Sequence, residues 1–176
     1  GFFVAFLLLL LLALVNAKSV KFMSQTNFLV TIWKIFIPVL AVILFLASPK
    51  HMENLTKFGG FAPYGATGVF SSLAVGGIIL AFNGFQPGIA LAGETKNPQK
   101  TIPIAIIGSV VICTIIYVML QISFLLAVPS QYLNNGWQNL SFSGEAGPLA
   151  GLASLLGLGI LAKLLYTDAL ISPMGT

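Results

Sequence analysis

The sequence predicts an all-α, polytopic membrane protein, and three observations predict it. Hydrophobic residues make up 57% of the 176 and charged residues only 7%, far from the balance of a water-soluble domain. The apolar residues fall in runs long enough to cross a bilayer, which takes about 20 residues as a helix. The runs show no strict alternation, so helix is preferred over strand.

Five runs follow along the chain. The first, about 1–17, opens without Met in the middle of "GFFVAFLLLLLLALVNAKS", and the chain reads as a fragment of a longer protein. A signal peptide cleaved after "VNA" is the competing reading, but it lacks a basic leader and the rest of the chain is polytopic. The second run is 28–47, with Pro38 inside it. The third, 68–92, is interrupted by Asn83-Gly84 and Gln86-Pro87-Gly88. The fourth, 103–128, holds Cys113, the single cysteine, so no disulfide forms within the chain. The fifth is 148–171. Gly76, Gly77, Gly151, Gly157 and Gly159 read as close-contact positions between helices.

The net charge is +4, from eight lysines, no arginine and four acids. The lysines stand singly between apolar runs, so no basic patch exists to hold nucleic acid, and topology explains them better. Lys18 and Lys21 share one side with Lys96 and Lys100. The opposite loops hold Lys50 and Lys57 but also Glu53 and Glu145. The positive-inside rule therefore assigns loops 18–27 and 93–102 to the cytoplasm of a multi-pass cell-membrane protein. Two sequons, "NLT" at Asn54 and "NLS" at Asn139, fall in the outer loops and carry little weight, since such triplets are common. His51 has no second His or Cys nearby, so no metal site is expected. One loop His and one apolar Cys supply neither the nucleophile nor the base of an enzyme. No cofactor is expected.

The third run carries the informative irregularity. Pro87 cannot donate to the carbonyl of Asn83, and Gly84 and Gly88 loosen the backbone on either side, so the helix is expected to break near 81–87. Non-helical backbone at membrane depth must be buried in protein or line a wet cavity. The upstream half would present carbonyls and the downstream half N–H groups, partial charges suited to a zwitterion. A proline kink satisfied by neighbouring helices is the plainer reading of the same residues.

"FNGFQPGIALAGETKNPQKTIPIAI" resembles the sixth helix and following loop of the amino acid-polyamine-organocation transporters. The positions that carry the resemblance are Phe82, Gly84, Phe85, Gln86, Glu94, Lys96-Asn97-Pro98 and Ile102-Pro103. The resemblance extends over nearly the whole chain, as helices four to eight, with the first three helices missing. It implies a leucine-transporter-like fold of two inverted five-helix repeats, with the substrate between discontinuous first and sixth helices. The backbone at Leu80, Ala81, Phe82 and Asn83 would receive the substrate amino group, Gly84 would permit close approach, and Phe85 would lie near the substrate side chain. Leu80 stands where many relatives carry an aromatic gate. Gln86 replaces their acid with an amide that both donates and accepts.

In the second run, Asn27, Thr31 and Lys34 share a helix face, and Pro38 removes the intrahelical donor for the carbonyl of Lys34. A lysine at the bilayer centre costs about 2.5–3.5 kcal/mol. Lys34 lies roughly 9 Å from the start of its run, so snorkelling to the interface is one reading. The resemblance implies the other: proton-coupled relatives place a lysine in the fifth helix where sodium-coupled ones hold an ion. In "AKLLYTDALISPMGT", Asp168 and Ser172 share a face. Capping or solvation at the interface is open for Asp168, while a similar D-x-x-x-S-P stretch in relatives faces the ion-like site, which would bring Ser172 toward Lys34. Lys163 stands five residues from Asp168, a poor spacing for a direct pair.

The expectation is an amino acid permease working by alternating access in the lipid bilayer, coupled to protons rather than sodium and completed by the remaining helices of the full chain. The alternatives are an exchanger without net proton movement and a channel-like membrane subunit.

Overall fold

The computed structural model describes residues 3, 4, 6, 7, 10, 20–57, 64–84, 89, 93, 95–134, 136–142 and 147–172. Among them there is helix and no strand. Two helical stretches, Gln25–Ala47 and Pro98–Ala127, are long and apolar enough to cross a membrane. Most of the first run lies outside the described residues, as do Phe85, Gln86 and Glu94.

The chain forms two compact units, Gly1–Ala41 with Phe142–Thr176, and Val42–Ser141. In the first unit, helix α1 (Val20–Ala47) enters with its residues up to Ala41 and buries Ile37 and Ala41 completely. The run 148–171 is two helices rather than one, α4 (Pro148–Leu155) and α5 (Gly159–Ile171). Their junction has a local cause. Gly157 takes a left-handed φ of 74°, its N–H donates to the Ser154 carbonyl at 3.1 Å, and the Leu158 N–H donates to the Ala153 carbonyl at 2.8 Å. That pair of bonds is the Schellman stop, which favours glycine at its left-handed position. Pro148 starts α4 at a site where its missing N–H costs nothing.

α4 and α5 pack on each other, burying Ala150, Leu152 and Ala153 from one and Leu161, Ala162 and Leu165 from the other. In lipid such contact is held by van der Waals packing rather than by a water-driven hydrophobic force. Small residues make the approach possible. A Cβ on Gly151 would fall 2.3 Å from the Cβ of Phe142, so glycine is needed there for space. Gly157 and Gly159 have open space where a Cβ would stand, and at Gly157 glycine serves the sign of φ rather than a close contact.

In the second unit, α1 ends with buried Val42 and Phe45, and Ser48 bonds back to the Leu44 carbonyl through its hydroxyl at 2.9 Å. A 3-10 turn, Met52–Leu55, packs on the end of helix α3 (Pro98–Ala127). Between them lie α2 (Gly65–Ala74) and a second 3-10 turn, Ile78–Phe82. Two more 3-10 turns, Ser130–Leu133 and Trp137–Asn139, follow α3. The buried set is Val42, Phe45, Asn54, Ser123, Leu126, Ala127, Val128 and Leu133, while large apolar residues point outward along α3, Ile104 and Ile107 being 71% and 64% exposed. That arrangement suits a lipid solvent and would be a liability in water.

Candidate functional site

The start of α3 shows what the Lys96-Asn97-Pro98 motif does locally. Asn97 is the helix cap, in a left-handed conformation with φ of 53°, and its carbonyl accepts the N–H groups of Lys100 and Thr101 at 3.0 Å each. Pro98 follows at the first helical position. Thr101 Oγ1 donates to the Lys96 carbonyl at 3.0 Å. Left-handed Asn, then Pro, is a compact way to turn a chain into a helix.

Upstream, regular α-helix ends at Ala74, ahead of the Asn-Gly pair. Val75 still donates to Ser71 at 2.8 Å, and then Gly77 takes a φ of 73° and redirects the chain into the 3-10 turn. Leu80 N–H donates to the Gly77 carbonyl at 3.0 Å, and Asn83 N–H to the Leu80 carbonyl at 3.2 Å. A carbonyl carries two lone pairs, so that of Leu80 keeps acceptor capacity. Of the residues expected at the substrate, Leu80, Ala81, Asn83 and Gly84 are exposed and Phe82 is half-buried. Phe85 and Gln86 lie outside the described residues. Phe82 is held by Tyr117 of α3, ring centroids 5.6 Å apart and planes at 71°, an edge-to-face pair. Sequence reasoning missed Tyr117, which carries no motif and stands 35 residues away.

The coupling candidates lie in the other unit. Lys34 of α1 and Asp168 of α5 are both half-buried and close enough for the ammonium to act on the carboxylate as a charge. Trp33, the neighbour of Lys34, acts on the same carboxyl. Neither Trp33 Nε1 nor Asp168 Oδ1, however, has a hydrogen-bond partner of good geometry among the described residues, although both atoms are shielded from solvent. Ser172 caps α5, its N–H donating to the Asp168 carbonyl.

A third cluster, in the second unit, is built from loop residues. Asn54 is 3% exposed, and its Nδ2 donates to the carbonyls of Leu125 at 2.9 Å and Val128 at 2.8 Å. The His51 N–H donates to the Leu126 carbonyl at 2.8 Å. Carbonyls at a helix C-terminus lack intrahelical donors, and these loop groups supply them. Ser130 Oγ donates to Glu53 Oε1, with Asn54 Oδ1 at 3.2 Å and His51 Nδ1 at 3.4 Å. Lys57 Nζ lies 3.4 Å from Glu53 Oε2. The Ser130 hydrogen bond, then the Lys57 charge, hold the Glu53 carboxyl below its ordinary range.

Comparison with known proteins supplies the frame for these clusters. The amino acid permease family model matches residues 1–175. The chain is 44% identical over its whole length to a glutamate/serine transporter, AimA, of Bacillus subtilis (strain 168), of which it covers 32%. It is 39% identical over 99% of its length to an aspartate-proton symporter of the same organism, covering 33%. It is 28% identical over 88% of its length to cationic amino acid transporter 1 of Arabidopsis thaliana, covering 26%. The chain thus spans about a third or less of the length of these relatives, and no solved structure matches it. A family match along essentially the whole chain, close relatives that are transporters rather than enzymes, and apolar helices of spanning length lead to one conclusion: the chain belongs to the amino acid permease family and is an integral membrane protein.

Proposed function

We propose that this chain forms part of a secondary active transporter that moves an amino acid by alternating access, with the substrate at the interrupted segment Leu80–Gln86. The observation that carries the reading is the loss of regular helix between Ala74 and Gly84 inside an apolar run. Irregular backbone at membrane depth is tolerated where it is buried in protein or lines a cavity, and half-helix ends are the usual means of holding zwitterions there. Leu80, Ala81, Phe82 and Asn83 receive the substrate amino group on their carbonyl side, and Gly84, Phe85 and Gln86 line the remainder. Among the described residues nothing lies within 4 Å of where a Cβ on Gly84 would stand, and its φ is not left-handed. Glycine there leaves open space beside the backbone, as the close approach of a ligand requires. In this reading the family's discontinuous sixth helix corresponds to α2 and the turn after it, within the inverted-repeat fold that the remaining helices complete.

Coupling runs through Lys34, Asp168 and Ser172. The ammonium of Lys34 takes the place of a sodium ion, and Asp168 is its counter-charge. The relative that is an aspartate-proton symporter supports protons over sodium. Acidic and small polar amino acids are the first substrates to test, because the names of the relatives at 44% and 39% identity include glutamate, serine and aspartate. The protein sits in the cell membrane with segments 18–27 and 93–102 on the cytoplasmic side, so that the first residues of α1 and α3, expected as loop, extend those helices toward the cytoplasm.

The test is uptake of radiolabelled glutamate, aspartate and serine into proteoliposomes by the full-length protein, with and without an imposed pH gradient. Uptake is expected and is expected to rise with an inward proton gradient. Absence of uptake for every amino acid would remove the transport reading. Uptake indifferent to the gradient, but dependent on amino acid inside the vesicle, would replace symport by exchange, the reading that the neutral Gln86 favours.

A further inference from the structure

Along the membrane-length part of α3 the polar side chains keep to one side. A helix turns by about 100° per residue, which gathers Ser109, Cys113, Thr114, Tyr117 and Gln121 into an arc of roughly 140°. The opposite side presents Ile104, Val111, Ile112, Ile115, Val118 and Ile122, all large, apolar and exposed. Two of the polar groups are satisfied within the helix: Ser109 Oγ donates to the Ile106 carbonyl at 2.8 Å and Thr114 Oγ1 to the Val110 carbonyl at 2.7 Å. Gln121 is exposed on the same side and carries an amide with donors and an acceptor. Polar groups at membrane depth are costly against hydrocarbon and face protein or water instead.

The polar side is also joined to the candidate substrate segment. Tyr117, in the middle of it, makes the edge-to-face contact with Phe82, ring centroids 5.6 Å apart. Cys113 and Gln121 stand one turn before and one turn after Tyr117, about 6 Å along the axis in each direction. The side therefore extends past the 3-10 turn both ways. Its thiol, phenol and amide polar groups include no Lys, Arg, Asp, Glu or His between Ser109 and Gln121. Neutral hydrogen-bonding groups hold water and a hydrated zwitterion loosely enough to let them leave, as a route requires and a tight site does not.

We infer that this side of α3 is the wall of a water-filled path by which the amino acid reaches the interrupted segment, with Tyr117 and Gln121 among the side chains it meets, while the opposite side lies in apolar surroundings. The inference rests on the substrate site proposed at Leu80–Gln86.

The test uses the full-length transporter, stripped of its other cysteines and placed in lipid nanodiscs that leave both membrane faces open. Cys113 alone, and Gln121→Cys, Ile115→Cys and Val118→Cys each on a Cys113→Ser background, are treated with a charged, membrane-impermeant methanethiosulfonate. Positions 113 and 121 are expected to react at least about tenfold faster than 115 and 118, because the reactive thiolate forms in water and not in hydrocarbon. Whichever of glutamate, aspartate and serine shows uptake is expected to slow the reaction at 113 and 121 and to leave 115 and 118 unchanged. Equal rates on the two sides overturn the inference, as they would if another helix of the full chain covers the polar side. Fast labelling of 113 and 121 that the transported amino acid does not slow overturns it too, since the wet surface would then lie off the route. Absence of uptake for every amino acid removes the substrate reading instead, and the rates without substrate still decide whether this side of α3 is wet. Should Gln121→Cys fail to fold, the native Cys113 carries the comparison.

Discussion

Asn54 and Asp168 are both polar side chains set among apolar helices, and they are treated in opposite ways. At Asn54 both amide hydrogens are taken, by two carbonyls at the end of α3, and the oxygen lies 3.2 Å from the Ser130 hydroxyl. At Asp168 one carboxylate oxygen is shielded from solvent and has no hydrogen-bond partner among the described residues. A completed network has one low-energy arrangement and fixes the loop to the helix. An incomplete one leaves free energy to be gained by moving, which a transporter needs somewhere and a structural node does not. The contrast separates scaffold from machinery more sharply than burial does.

The largest effect is expected where the network is complete. Asn54→Asp keeps the size but turns a donor into an acceptor, pointing oxygen at the carbonyls of Leu125 and Val128. It is expected to destabilise by more than Asn54→Ala, which itself costs about 2–4 kcal/mol for two abandoned buried acceptors; thermal unfolding of the purified full-length protein gives the order. Next comes Gly151→Ala, where the new methyl meets Phe142 and overpacking costs about 1–3 kcal/mol. Tyr117→Leu is expected to cost about 0.5–1.5 kcal/mol through the lost ring pair with Phe82, and to weaken substrate binding because the 3-10 turn loses its support. Asp168→Asn should leave unfolding unchanged or make it harder, because it removes the charge from a carboxylate with a shielded, unpartnered oxygen, while changing transport. If it destabilises as Asn54→Ala does, the contrast drawn above collapses.

The smallest effect is electrostatic. Glu53 is held below its ordinary 4.5 first by the Ser130 hydroxyl and then by Lys57. A carboxyl lowered in the folded state contributes stability that is present above the unfolded value and disappears as pH falls through the folded one. Unfolding temperature measured downward from pH 5 should therefore decline more steeply in the native protein than in Ser130→Ala. Parallel curves would show that the hydroxyl does not hold the carboxylate.

Some of this is legible in the sequence and some is not. Composition and run length reveal the membrane class. The helix expected from Pro103 begins at Pro98, because the Asn97 cap and Pro98 start it among polar residues that hydropathy assigns to a loop. The irregularity of the third run is signalled by Asn83-Gly84 and Pro87, but regular helix ends earlier, before Gly77. Adjacent Gly76 and Gly77 read equally well as packing residues, since residue type does not reveal the sign of φ. Gly157 misled in the same way and split a run that looked continuous. Tyr117 and Asn54 act through partners 35 and 71 residues distant, where no periodicity connects them. Asn54 carried a signal for something else altogether.

That signal has a consequence. The nitrogen on which an oligosaccharide would be built is the nitrogen that tethers the loop to α3. A glycan there would consume one of the two amide hydrogens and force a bulky sugar into a place with no solvent access. Decoration and docking thus compete for a single atom, and once the loop has docked, a glycosylating enzyme in a eukaryotic host would find "NLT" out of reach.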